Sequence, residues 1–165
     1  NISTDDHMVE KFAHYRKIWE ECDHPGPMPR QMLVRPVHVA ETDAKAREEV
    51  EPYLQESMGL GREMVANTRI GMGSDPRGKG TDNTRYTRAN GRGFAETRKS
   101  YDFWIDNGLA LVGSPETVIR KLNEQYQLIG YDIFCANHRF GPLPHEQSLK
   151  SLKLFGQEVI PAFAE

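Results

Sequence analysis

The sequence has little cysteine and no long apolar run, and these absences exclude several classes of protein. Cys22 and Cys135 are the only two cysteines in 165 residues, which leaves neither a disulfide framework nor the cysteine spacing of a zinc site. We interpret both as reduced thiols. No apolar stretch approaches the roughly 18 residues of a membrane-spanning helix, and no signal-peptide pattern precedes the first helical pattern. We therefore expect a cytoplasmic protein that does not enter membranes.

An excess of basic charge is also lacking. The formal net charge is −3, which gives no indication of a nucleic-acid-binding protein. With 38% hydrophobic and 27% charged residues, the composition is that of a folded globular chain rather than a disordered one. We treat residues 1–165 as one domain segment.

The first half of the chain predicts a helix, a strand and a second helix. Residues 3–6 offer capping side chains to a first helix, which the proline-rich residues 23–29 must end. Residues 31–40 predict a strand, although Pro36 lacks a donor for a β-ladder. The next helix begins at Thr42-Asp43, and we expect a kink or break at Pro52 and a break at residues 59–61.

The second half predicts further helices and one more strand. Ser114-Pro115-Glu116 combines a cap, a proline at the first helical position and an acidic first turn. Residues 131–136 predict a strand, and Pro144-His145 opens a last helix. Strands that alternate with helices indicate parallel α/β structure. Because two strands cannot form a complete parallel sheet, we expect this chain to be part of a larger fold.

Residues 67–99 differ from the rest of the chain. They hold eight Lys and Arg residues against three Asp and Glu, a net charge of +5, with six glycines and almost no core-forming side chains. This composition predicts a long mobile loop with a function. Within it, Gly73 to Gly80 resembles a phosphate-binding P-loop but has Gly80 where Ser or Thr is needed, and Gly91-Arg92-Gly93 is a single copy of an RNA-binding pattern. We interpret both as exposed loop.

Several segments, taken in order, resemble the bacterial-luciferase-like family of flavin-dependent monooxygenases. The matching segments are Arg35-Pro36-Val37-His38-Val39-Ala40-Glu41-Thr42-Asp43-Ala44, Leu111-Val112-Gly113-Ser114-Pro115-Glu116-Thr117-Val118, Gly130-Tyr131-Asp132-Ile133-Phe134, Leu143-Pro144-His145-Glu146 and residues 151–161. The resemblance covers nearly the whole chain. It implies an α/β fold, the C-terminal part of a (β/α)8 TIM barrel, with strands seven and eight at residues 31–40 and 131–136.

The same resemblance implies the chemistry. The enzyme would oxidise a small organic substrate with O2 and reduced FMN, or a deazaflavin in some relatives, supplied by a separate flavin reductase. It also implies that the enzyme is a homo-oligomer and that residues 67–99 form a lid. Lid closure would exclude water from the flavin. We expect the 165-residue chain alone to be inactive, because most flavin contacts come from earlier strands.

Candidate site residues follow from the position of active sites in barrels, at the carboxyl ends of the strands. Asn137, His138 and Arg139 follow the second strand and are the candidates for flavin or substrate binding. Three cations of the basic segment are further candidates: Arg77, Lys79 and Arg85. No catalytic base is identified, and His7 and His14 lack the carboxylate partners of a metal site.

Other residues are interpreted as structural. We expect His38 to be a hydrogen-bonded core histidine, and Phe12, Tyr15 and Trp19 to form a buried stripe. Two other functions stay open. The chain could be a non-catalytic truncated barrel that binds a protein or an anionic partner through the basic segment, or a half-barrel completed by a second copy.

Overall fold

The computed structural model describes residues 3–72 and 99–164, and for residues 58–72 we use only the course of the backbone. The described helices are α1 (Asp5–Glu21), α2 (Asp43–Met72), α3 (Tyr101–Asp106), α4 (Pro115–Ile129) and α5 (His145–Leu154), the last continued by a π-helical turn (Phe155–Val159) and a 3-10 turn (Ile160–Phe163). The described strands are β1 (Met32–Val39), β2 (Leu111–Gly113) and β3 (Ile133–Asn137). Among these helices, none is long and apolar enough to cross a bilayer.

Helix α1 begins and ends where the sequence predicts. The Thr4 hydroxyl accepts the N–H of His7 at 3.4 Å, and the helix ends at Glu21, before the prolines. Phe12 is buried as expected, but the predicted burial of Tyr15 is wrong, because its side chain is 42% exposed. The core cluster beneath α1 includes Met8 and Phe12 but not Tyr15, which lies one turn further along the helix.

Helix α2 is longer than predicted. It passes Pro52 and the glycines at 59 and 61 without interruption and ends at Met72, so the expected break at residues 59–61 is wrong. A single glycine costs a helix only about 1 kcal/mol, which the flanking helix-forming residues offset. The first six residues of the predicted loop, 67–72, are helical. The remainder of that prediction, including the lid, lies outside the described residues.

The three strands form a parallel sheet in the order β2-β1-β3. Strand β2 was not predicted, because three residues are too few to show a periodic pattern. Pro36 lies in the central strand β1, at the point where its pairing with β3 ends and its pairing with β2 begins. The ladder to β3 ends at the pair Pro36 and Asn137, and the ladder to β2 begins one residue later at Val37.

Helices cover one face of the β1–β3 pair and leave the other face open. Leu33, Val37 and Val39 point to the covered face, where they pack against α1, α4 and the π-helical turn. Met32 and Val34, which alternate with them, are 51% and 38% exposed. Helix α2 lies at the carboxyl end of the sheet, where Ala46, Val50 and Leu54 share a cluster with Ala40 and Val112.

Candidate functional site

The carboxyl ends of the strands bring three short segments to one edge of the sheet. Residues 40–43 follow β1, residues 114–117 follow β2 and residues 138–140 follow β3. Because the strands are parallel, all three segments lie at the same end, which is where ligands bind in parallel α/β folds. We take this edge as the candidate site.

Asn137 and Arg139 are the exposed polar side chains at the end of β3. Asn137 pairs with Pro36 in the ladder and therefore lies on the open face of the sheet. Its side-chain oxygen accepts the backbone N–H of Arg139 at 3.1 Å, which fixes the turn that leaves the strand. Both residues are exposed at the edge where the sequence predicts ligand contacts.

His138, between them, is turned into the protein. It is buried, its Nδ1 lies 3.0 Å from Ser151 Oγ, and its ring meets Phe155 edge-on at 4.9 Å between centroids. Burial, and secondarily the neighbouring His38, lowers the pKa of His138 to about 4. The imidazole is therefore neutral at pH 7. Its contacts are with α5 and the π-helical turn rather than with the open face.

His38 is the hydrogen-bonded core histidine that the sequence predicts. It is fully buried near the end of β1, and its Nε2 lies 2.9 Å from Oε2 of Glu49 on α2. The Nδ1 atom is also buried, and among the described residues it has no hydrogen-bond partner. Sequence reasoning did not single out Glu49, because it occupies an ordinary position in a charged helical pattern.

Asp43 joins the segments that follow β1 and β2. Its carboxylate accepts the N–H of Ser114 at 2.7 Å and the hydroxyl of Thr117 at 3.0 Å. Ser114 also caps α4, as predicted, by accepting the N–H of Thr117 at 3.3 Å. A side-chain carboxylate thus already lies at the N-terminus of α4, where a bound anion would otherwise be favoured. Sequence reasoning assigned Asp43 only to the start of α2.

Two cavities lie on the helix-covered side, away from this edge. One, of about 620 Å³, lies between α4 and the chain end over Phe134. The other, of about 490 Å³, lies beside Asp5, Gly108 and Gln125. Neither contains Asn137 or Arg139 in its lining.

The other site predictions have simpler outcomes. Arg77, Lys79 and Arg85 lie outside the described residues. Over residues 3–57 and 99–164, no group of three or more His, Cys, Asp or Glu side chains is arranged to hold a metal ion. Cys22 and Cys135 are free and exposed, and Cys135 lies opposite Val34 in the ladder, on the open face.

Known structures share this fold over nearly the whole chain. The monooxygenase RslO1 from Streptomyces bottropensis has 17% sequence identity to this chain and a TM-score of 0.55. The match covers 98% of this chain and 40% of the RslO1 chain. A second structure is the oxygenating constituent of 3,6-diketocamphane monooxygenase, a type II Baeyer-Villiger monooxygenase from the CAM plasmid of Pseudomonas putida, in complex with FMN. It has 22% sequence identity to this chain and a TM-score of 0.59, and the match covers 96% of this chain and 41% of that one. The chain thus spans about two fifths of the length of these structures.

The sequence itself gives the family. No curated protein matches the chain. The family model for luciferase-like monooxygenases matches residues 1–132, which is most of the 165 residues and includes α1, the central strand and the whole of α4. By this match, the chain belongs to the luciferase-like monooxygenase family.

Proposed function

We propose that the chain is the C-terminal part of a flavin-dependent monooxygenase barrel. The observation that carries this proposal is the one-sided cover of the β1–β3 pair. Apolar Met32 and Val34 stand exposed on the open face, whereas Leu33 and Val37 are fully buried beneath helices. In doubly wound folds helices cover both faces of a parallel sheet. In a barrel wall helices lie outside and further strands face the inner side chains.

The path of the chain supports the same proposal. Strands β1 and β3 are parallel neighbours, and α4, which precedes β3, lies on the covered face. This is the arrangement of two successive barrel strands, here the seventh and eighth, with β2 a short addition at the edge of β1. The longer relatives provide enough chain for the other strands, since this chain covers only 40% and 41% of them.

The candidate site has groups that fit a flavin in part. The open face offers an apolar floor from Val34, Pro36 and Cys135, and the exposed Asn137 and Arg139 offer polar contacts at its carboxyl end. The N-terminus of α4 is occupied by the carboxylate of Asp43 and does not suit the flavin phosphate. We therefore assign the phosphate to other strands or to the cations of the basic segment, Arg77, Lys79 and Arg85.

Reduced FMN, or a deazaflavin, would supply the oxidising chemistry with O2 when bound. The residues of this chain would hold one side of the ring and of a small organic substrate, and would shield both from water. A separate reductase would deliver the reduced flavin, and the enzyme would be a homo-oligomer.

Titration of FMN fluorescence with the purified 165-residue chain tests the proposal. A small-ligand site usually buries about 70–90% of its ligand, and two barrel strands leave most of a flavin uncovered. We expect little or no binding by the chain alone, and binding when a polypeptide with the preceding barrel strands of a relative is added. Stoichiometric micromolar binding by the chain alone, persisting in high salt, would contradict the proposal. Binding of an anionic partner that falls steeply with salt would support the non-catalytic alternative instead.

A further inference from the structure

Lys121 lies half-buried on α4, in the wall of the cavity of about 490 Å³ on the helix-covered side. Its Nζ donates a hydrogen bond to the carbonyl of Ile105 at 3.3 Å, which holds the amine against the end of α3. Asp106 and Glu124 line the same cavity, but over residues 3–57 and 99–164 Lys121 forms no ion pair. A half-buried lysine without a carboxylate partner is costly to keep charged, so its position in a cavity is a feature to explain.

The surroundings of Lys121 favour the unprotonated amine more than those of an exposed lysine. Burial, followed by the charge of Arg120, lowers the pKa of Lys121. The carboxylates of Asp106, Glu124 and Asp43 act in the opposite direction and do not outweigh burial. Because only the unprotonated amine is a nucleophile, Lys121 has more of the reactive form at neutral pH than an ordinary lysine.

Arg120 gives the same cavity a cationic group that can hold an anion. Its Nη1 lies 2.8 Å from Oε1 of Glu124, and the guanidinium has further N–H donors. A guanidinium is well suited to bind phosphate oxygens. The volume of the cavity is within the range of about 300–1,000 Å³ that is typical of small-ligand sites. The cavity therefore suits a small electrophile that carries a phosphate group.

We propose that Lys121 is a modification site, at which its amine accepts an acyl group from a small acyl phosphate. The unprotonated Nζ attacks the acyl carbon, an N–C bond forms, and the bond from that carbon to the phosphate oxygen breaks. The nitrogen releases one proton to water, and phosphate leaves beside Arg120. The product amide is uncharged and keeps one N–H for the carbonyl of Ile105, so acylation removes the cost of a half-buried charge. This inference does not depend on the proposed flavin chemistry.

Treatment of the 165-residue chain with limiting acetyl phosphate at neutral pH, followed by peptide mass mapping, tests the proposal. The rate at each lysine is divided by its rate in the chain unfolded in guanidinium chloride, which removes the effect of neighbouring sequence. We expect the normalised rate at Lys121 to exceed those at Lys17 and Lys150, which are both exposed, at least about tenfold.

Arg120→Gln separates the contact with phosphate from the reactivity of the amine. The uncharged donor p-nitrophenyl acetate is the reference, because the ratio of the two rates at Lys121 cancels any change in the amine itself. This ratio, acetyl phosphate over p-nitrophenyl acetate, should fall by about two- to fivefold in Arg120→Gln, since the guanidinium is partly exposed. Lys150→Gln is the matched control, because it removes an exposed positive charge from α5 and should leave the ratio unchanged.

Two results would overturn the proposal. One is a normalised rate at Lys121 that is no higher than the rate at Lys17 in the folded chain. The other is an unchanged ratio of the two rates in Arg120→Gln, which would show that the cavity does not hold the phosphate of the donor.

Discussion

The guanidinium of Arg35 lies 2.9 Å from the carboxylate of Asp5, and the Arg35 side chain is fully buried in the central strand. The same Asp5 oxygen accepts the side-chain amide of Gln125 on α4 at 2.8 Å, and that amide also donates to the carbonyl of Gly108. One carboxylate thus joins α1, β1, α4 and the turn before β2 on the covered face.

Asp5→Ala should destabilise the chain by about 3–5 kcal/mol, because it breaks the 2.9 Å ion pair that Asp5 forms with the buried guanidinium of Arg35. Urea unfolding of the 165-residue chain measures this loss. Glu21→Ala is the control, since the Lys17–Glu21 pair is exposed and should contribute no more than about 1 kcal/mol. Equal effects of the two substitutions would show that the Arg35–Asp5 pair is accessible to water.

Gly108→Ala should be strongly destabilising for a different reason. Gly108 has a φ of +70°, and a Cβ there would overlap the side-chain carboxylate of Asp5. The carboxylate cannot retreat without releasing Arg35 and Gln125. Gly156→Ala is the matched control, because nothing lies within 4 Å of the added methyl and the backbone is helical. We expect Gly108→Ala to lower the thermal midpoint of unfolding by several degrees and Gly156→Ala to leave it unchanged or raise it. The reverse order would contradict the assigned geometry.

His138 should make stability depend on pH. Its pKa is about 4 in the folded chain against 6.5 for an ordinary histidine, so between these values the unfolded state binds more protons. Stability should therefore fall as the pH is lowered from 6.5 toward 4, by as much as about 3 kcal/mol. His138→Gln should flatten this slope, whereas His14→Gln, at an exposed position, should preserve it. An unchanged slope in His138→Gln would show that His138 is protonated without cost.

The sequence predicts best those features that depend on neighbouring residues. The starts of α1 and α4 follow from Thr4 and Ser114, whose hydroxyls cap the chain three residues ahead. Strand β2 and the length of α2 escaped prediction because each depends on distant partners. The three residues of β2 form a strand because they pair with residues 37–39 of β1. The segment of α2 that contains Gly59 and Gly61 stays helical because its context favours the helix.

The site follows the same rule. The position of residues 137–139 at a strand end was predictable from the strand pattern alone. The inward turn of His138 depends on Ser151 and Phe155, and the contact of Asp43 depends on Ser114, 71 residues later. Local sequence patterns carry no information about such contacts. They therefore predict that a residue lies at the edge of the sheet, but they do not predict which way its side chain points.

A substitution at Phe155 tests whether the π-helical turn near the end of the chain packs against the sheet. It is 9% exposed, it lies in the cluster of Val37, Leu111 and Val118, and its ring contacts His138. Phe155→Ala should cost about 3–5 kcal/mol, since it removes a large buried ring and leaves a cavity. Leu152→Ala, three residues earlier and 51% exposed, should cost much less. A loss below about 1 kcal/mol for Phe155→Ala, measured by urea unfolding, would mean that the π-helical turn is not packed on the sheet in the isolated chain.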